Sequence, residues 1–184
     1  MKNKNLLSLI SMACLVLFSF TFTACSDDDD TEGGGNVSNS VKFDNKTFKT
    51  PYAYWYMNKE AGESGSDNTV TMEFYSCNPT ASSIPSSVSY VAIDYELEDG
   101  NKEINTTVVK SGNYHIYVAY NVTMSSEGIQ CETEYGETGN SDLKIVRNGN
   151  TYTISIEHAT VSDENKSYDF SFNYSGGLTH QIIK

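Results

Sequence analysis

From Val41 onward apolar and polar residues alternate with a period of two. Tyr114, Ile116, Val118, Tyr120 and Val122 are interleaved with His115, Tyr117, Ala119 and Asn121. Tyr152, Ile154, Ile156 and His158 are interleaved with Thr153, Ser155 and Glu157. Tyr168, Phe170, Phe172 and Tyr174 are interleaved with Asp169, Ser171 and Asn173. Successive side chains of a strand point to opposite faces, so this period predicts antiparallel strands with one dry and one wet face. No segment carries the three-to-four-residue spacing of an amphipathic helix.

Turn chemistry cuts the pattern into strands. Asn148-Gly149-Asn150 predicts a tight hairpin between Leu143–Arg147 and Thr151–Val161. Asp44-Asn45-Lys46, Glu98-Asp99-Gly100-Asn101, Ser111-Gly112-Asn113 and Asp163-Glu164-Asn165-Lys166 punctuate the chain in the same way. Between them lie Val41–Phe43, Thr47–Lys49, Tyr52–Asn58, Val70–Ser76, Val88–Leu97, Ile104–Lys110 and Tyr114–Met124. This predicts an all-β domain, an antiparallel meander of about 8–10 strands forming a barrel or a β-sandwich. Pro79 and Pro85 remove ladder donors, so Cys77 to Ser87 is predicted to be a surface loop.

The first 25 residues follow another logic. Lys2 and Lys4 precede an apolar run from Leu6 to Phe22, and small residues lead into Cys25. That is the layout of an export signal. A membrane-spanning helix fits less well, because the run is short and acids rather than basic residues follow it. Residues 1–24 are therefore expected to be removed and residues 25–40, rich in Asp, Gly and Ser, to act as a tether. Residues 41–184 are expected to form a single domain.

The segment Phe22-Thr23-Ala24-Cys25 resembles the lipobox of bacterial lipoproteins, with Phe22 where Leu is usual. The resemblance implies cleavage before Cys25 and acylation of that residue. Several acyl chains, each methylene contributing about 0.8 kcal/mol, hold a protein at a membrane stably. Ser26, Asp27, Asp28, Asp29 and Asp30 resemble the surface-export signal of Bacteroidota lipoproteins. This implies a lipid-anchored location on the outer face of the cell outer membrane. The stretch NGNTYTISIEHATVSDENKSYDFSFNYSGGL resembles the closing hairpins of small lipoproteins from that group, built as lipocalin-like barrels or sandwiches. No catalytic residue carries over from them.

Charge narrows the function classes. Loss of Lys2 and Lys4 with the leader takes the formal net charge from −12 to −14, and Arg147 is the sole arginine. Nucleic-acid binding needs clustered cations to displace counterions, and phosphoryl transfer needs cationic clamps. Neither is expected of this chain.

The remaining chemistry is sparse. Cys77 and Cys131, the cysteines left after processing, are a candidate disulfide closing a loop of 54 positions, worth about 4 kcal/mol in the chain-entropy model. Two separate thiols are the alternative. His115 falls on a polar face, His158 on an apolar face and His180 in the tail, with no zinc-ligand spacing, so no metal or haem is expected. The acids Glu96, Glu98, Asp99 and Glu103, and Glu132, Glu134, Glu137 and Asp142, read as solvated loops without calcium-loop spacing. No nucleophile elbow, zinc-protease or phosphate-loop motif is present. No cofactor is expected.

The aromatic residues are the feature that points to ligand binding; the plainer reading is that a small β-domain fills its core with Tyr and Trp. Tyr52, Tyr54 and Tyr56 should face one way on a strand, and Ala53, Trp55 and Met57 the other, one set joining the core. Tyr52, Tyr54, Trp55 and Tyr56 are the candidate ligand platform. The sequence thus predicts a non-catalytic binding or accessory module at the cell surface, its ligand a glycan, a small apolar molecule or a protein partner. A structural or adhesion component of the envelope, and an enzyme using acidic loops, are the alternatives.

Overall fold

The computed structural model describes residues 39–57, 68–81, 85–98, 100–125, 128–130, 135–137, 140–162 and 166–181. Cys25, the Ser26–Asp30 run, Cys131, Asp99, Glu132 and Glu134 lie outside the described residues.

Strands β1 (Ser40–Phe43), β2 (Lys46–Lys49), β10 (Leu143–Asn148), β11 (Thr151–Ser162), β12 (Ser167–Gly176) and the short β6 (Thr107–Val109) form a six-stranded sheet ordered β2-β1-β12-β11-β10-β6. Strands β3 (Tyr52–Met57), β4 (Thr69–Tyr75), β5 (Ser87–Glu96), β7 (Tyr114–Ser125), β8 (Gly128–Gln130) and β13 (Thr179–His180) form the second sheet, ordered β13-β3-β4-β5-β7-β8. The seventh strand of that sheet, β9 (Tyr135–Glu137), also pairs with β7. The fold is all-β, with no helix among the described residues. The sheets pack as a sandwich and do not close into a barrel. Of the two architectures expected, the sandwich is the one found. The path is also less simple than a meander: β6 leaves its sequence neighbours to pair with β10 across the sandwich, and β13 pairs in parallel with β3. The short β8, β9 and β13 raise the strand number above the expected range, and their two- or three-residue lengths are too short to show periodicity.

The core follows from the alternation. Val41, Phe43, Ile145, Ile154, Ile156, Phe170, Phe172 and Tyr174 from one sheet meet Trp55, Val70, Met72, Phe74, Val91, Ile93, Ile116 and Val118 from the other. Phe74 sits at the crossing, fully buried, with ring centroids 4.6 Å from Phe172 and 5.1 Å from Tyr174. Side chains from both sheets thus fill the space where a barrel would hold a ligand.

Two β-bulges correct the sequence reading. In β11 the register slips between Ile156 and Ala159, which face Phe172 and Phe170. The extra residue interrupts the parity, so His158 is exposed and Ala159 and Val161 take the inner positions. His158 therefore does not continue the apolar face. In β7 the slip lies between Val88 and Tyr90, opposite Val122 and Ala119. Asn121 sits there with φ 55°, a conformation Asn tolerates better than most residues. Its backbone N–H donates to Ser89 Oγ at 2.9 Å. Beyond the bulge Val122 packs on the outer side of the sheet instead of sharing the inner face of Ile116 and Val118.

The predicted hairpin at residues 148–151 is present. Gly149 has φ 60°, while Asn150 stays outside the left-handed region, the pattern of a type II′ turn.

Candidate functional site

The outer faces of the two sheets differ in kind. That of the six-stranded sheet carries Lys42, Lys49, Lys144, Ser155, Ser171, Asn173 and Ser175, the mostly polar surface a one-sided sheet normally shows to water, with Val108 and Val146 exposed toward the β6–β10 edge. That of the seven-stranded sheet carries a second cluster separate from the core: Tyr54, Tyr75, Val88, Tyr90, Ala92 and Ala119, with Cys77, Tyr117 and Val122 packed against it.

Strand register builds this face in three rows. Tyr52 of β3 faces Tyr75, which faces Tyr90 and then Ala119. Tyr54 faces Glu73, then Ala92, then Tyr117. Tyr56 faces Thr71, then Asp94, then His115. Tyr54 and Tyr75 meet edge to face at 6.1 Å, and Tyr75 stacks on Tyr90 at 5.7 Å. The rings of Tyr54, Tyr75 and Tyr90 are buried and form a floor, whereas Tyr52 is exposed and Tyr117 half-buried.

Glu73 holds the centre. It accepts hydrogen bonds from Tyr56 at 3.1 Å and from Tyr75 at 2.9 Å. Burial raises its pKa above the ordinary carboxylate value and the nearby charge of Asp94 adds to this, while the two tyrosine hydroxyls pull the other way. Asp94 is raised chiefly by burial as well, opposed by a hydrogen bond from Thr71 and by His115. Its Oδ1 is buried without a hydrogen-bond partner among the described residues. Burial, then the Glu73 charge, push the Tyr56 hydroxyl far up. At the rim, Tyr54 donates to Asn78 Oδ1 at 3.1 Å, which ties the β4–β5 loop to the face. The whole presents rings, hydroxyls and two desolvated carboxylates, with no Lys or Arg in the three rows.

The sequence-predicted platform is divided by this geometry. Tyr52, Tyr54 and Tyr56 share the outer face, but Trp55 points inward. There it is buried and stacks on His180 at 4.1 Å, so it serves the core and the docking of β13. Glu73, Tyr75, Tyr90 and Asp94 were not singled out from the sequence. Their signal was available: Glu73 and Tyr75 alternate with Met72 and Phe74, and Tyr90, Ala92 and Asp94 with Val91 and Ile93.

The other candidates do not converge. His115 and His158 are exposed, and His180 belongs to the Trp55 stack. Among the described residues no group of three or more His, Cys, Asp or Glu is placed to hold a metal. Cys77 is half-buried against the outer cluster, and its candidate partner Cys131 lies outside the described residues. Two of the described loop acids have cationic neighbours: Asp142 binds Lys110 at 2.7 Å and Glu103 binds Arg147 at 2.8 Å.

Comparison with family models, with curated proteins and with solved structures finds no match to this chain.

Proposed function

We propose that the protein is a lipid-anchored lipoprotein of the outer-membrane surface, held by Cys25, and that its sandwich is a non-catalytic glycan-binding module. One observation carries the reading: an aromatic and carboxylate array covers the outer face of the seven-stranded sheet, where a one-sided sheet needs only polar residues. Sugar rings offer apolar C–H faces to aromatic side chains and hydroxyls to carboxylate and phenol groups. The packed tyrosines supply a rigid floor, and Tyr52 and Tyr117 are the rings with accessible surface. The filled space between the sheets favours a surface ligand over an enclosed apolar one.

Screening the full-length protein on an array of neutral and charged glycans tests the binding reading. Specific binding is expected, and Tyr117→Ala should weaken it at least tenfold without lowering the melting temperature by more than a few degrees. An array with no specific signal leaves the module without a glycan ligand and ends this reading; turnover of any glycan would replace it with an enzyme.

The anchor has its own test. Cys25→Ala should move the protein from the membrane to the soluble fraction, and protease added to intact cells should digest the native protein. A Cys25→Ala chain that still sediments with membranes would refute the lipid attachment.

A further inference from the structure

A second, polar site lies at one end of the sandwich. Along β10 the inner positions run Leu143, Ile145, Arg147, so the apolar stripe ends in a guanidinium just as the core reaches solvent. There a shallow depression of about 580 Å³ opens, lined by Asn105, Thr106, Arg147, Gly149 and Asn150.

Arg147 is held in place from several sides. Its Nη1 donates to Glu103 at 2.8 Å, to the Ile104 carbonyl at 3.2 Å and to Asn105 Oδ1 at 3.4 Å. Its Nε donates to the Gly149 carbonyl at 3.1 Å, and the group lies 5.5 Å from the Tyr152 ring centroid. Thr106 Oγ1 accepts from the Arg147 backbone N–H at 2.9 Å, fixing the loop before β6 against the hairpin. These bonds use Nε and Nη1 and leave Nη2 directed to no protein group among the described residues. The Asn150 side chain, at the exposed second turn position, likewise has no protein hydrogen bond among them.

We infer that this depression is a binding subsite for an uncharged sugar, recognised through adjacent hydroxyls by Arg147 Nη2 and the Asn150 amide. The chemistry favours hydroxyls over an anion. Glu103 already neutralises Arg147, and the expected mature chain carries −14, so an anionic sugar meets net repulsion from the chain as a whole. None of the five lining residues is aromatic or aliphatic, and a polar, shallow, preorganised set of donors suits a hydroxyl-rich ligand. Arg147 is preorganised by bonds that remain when ligand leaves, so little ordering opposes binding. The site stands on its own geometry and does not depend on the aromatic face.

The test is titration of the full-length protein with cellohexaose, maltohexaose and mannohexaose, and with hexagalacturonate as the anionic probe, followed by calorimetry and by NMR of the Asn150 amide. At least one neutral hexamer should bind and shift that amide, and hexagalacturonate should bind at least tenfold more weakly. Asn150→Ala removes a side chain with no bond within the described chain, so it should fold normally and weaken neutral-sugar binding at least fivefold. Unchanged binding in Asn150→Ala, preference for the uronate, or no neutral hexamer binding at all would each overturn the inference. Loss of binding in Tyr117→Ala with Asn150→Ala intact would place the ligand on the aromatic face, which separates the two proposals.

Discussion

Phe74→Ala should lower the stability of the domain by about 3–5 kcal/mol, the cost of truncating a buried aromatic side chain. Phe74 is fully buried and touches the rings of Phe172 and Tyr174 in the opposite sheet. Both neighbours stand on β12, whose backbone is paired on either side with β1 and β11, so the strand cannot easily shift to fill the hole. The loss therefore combines apolar transfer with an unrelaxed cavity. A single sandwich of this size has roughly 5–15 kcal/mol in hand, so the variant should melt about 10 °C or more below the native protein. Val146→Ala is the control, since Val146 is 53% exposed on the outer face of the other sheet. That change should stay within about 0.5 kcal/mol. Thermal unfolding followed by circular dichroism measures both, and near-equal melting temperatures would mean the sheets do not pack through Phe74.

Ten of the strands were legible, the longest because a half-buried strand must write its two faces into alternate positions and the rest because turn residues bound them. The limits appear where one residue breaks the count. At His158 and at Asn121 a bulge inserts an extra residue and moves everything beyond it to the other face. Neither the SIEHAT nor the AYNVT stretch announces this, since both continue to alternate on paper. Sheet closure was equally silent: an alternating strand looks the same in a barrel and a sandwich, and the choice rests on which strands pair. The aromatic run at residues 52–57 showed that two faces existed but not which was core. What decides it is the partner strand, where Met72 and Phe74 oppose Trp55 and Ala53 while Glu73 and Tyr75 oppose Tyr54 and Tyr52. The role of Arg147 was hidden for a similar reason. Its position at the inner end of β10 and its bonds to a loop more than forty residues earlier are tertiary facts.

The stability of the protein should peak on the acid side of neutrality, and Glu73 and Asp94 should be the cause. Both carboxyl groups have folded-state pKa values raised above their unfolded ones, chiefly by burial. The folded state therefore binds protons more tightly than the unfolded chain. Stability is highest where these groups are protonated and falls as pH rises from their unfolded values through their folded ones. Asp142 and Glu157 act with the opposite sign: hydrogen bonds from Lys110 and Lys144 lower their pKa values. Their contribution is present above the unfolded carboxylate values and is lost as pH falls through the folded ones, which limits the acid side. The exposed pairs are screened by solvent more strongly than the two half-buried carboxyls among the tyrosines, so the decline with rising pH should outweigh the acid-side loss. Glu73→Gln imitates the protonated acid, keeping an acceptor for one tyrosine while removing the charge. With Asp94→Asn beside it, the double variant should melt at a nearly constant temperature between pH 5 and 9 while the native protein declines. A parallel decline in both proteins would show that the buried pair ionises without cost and that the outer face is wetter than its packing indicates.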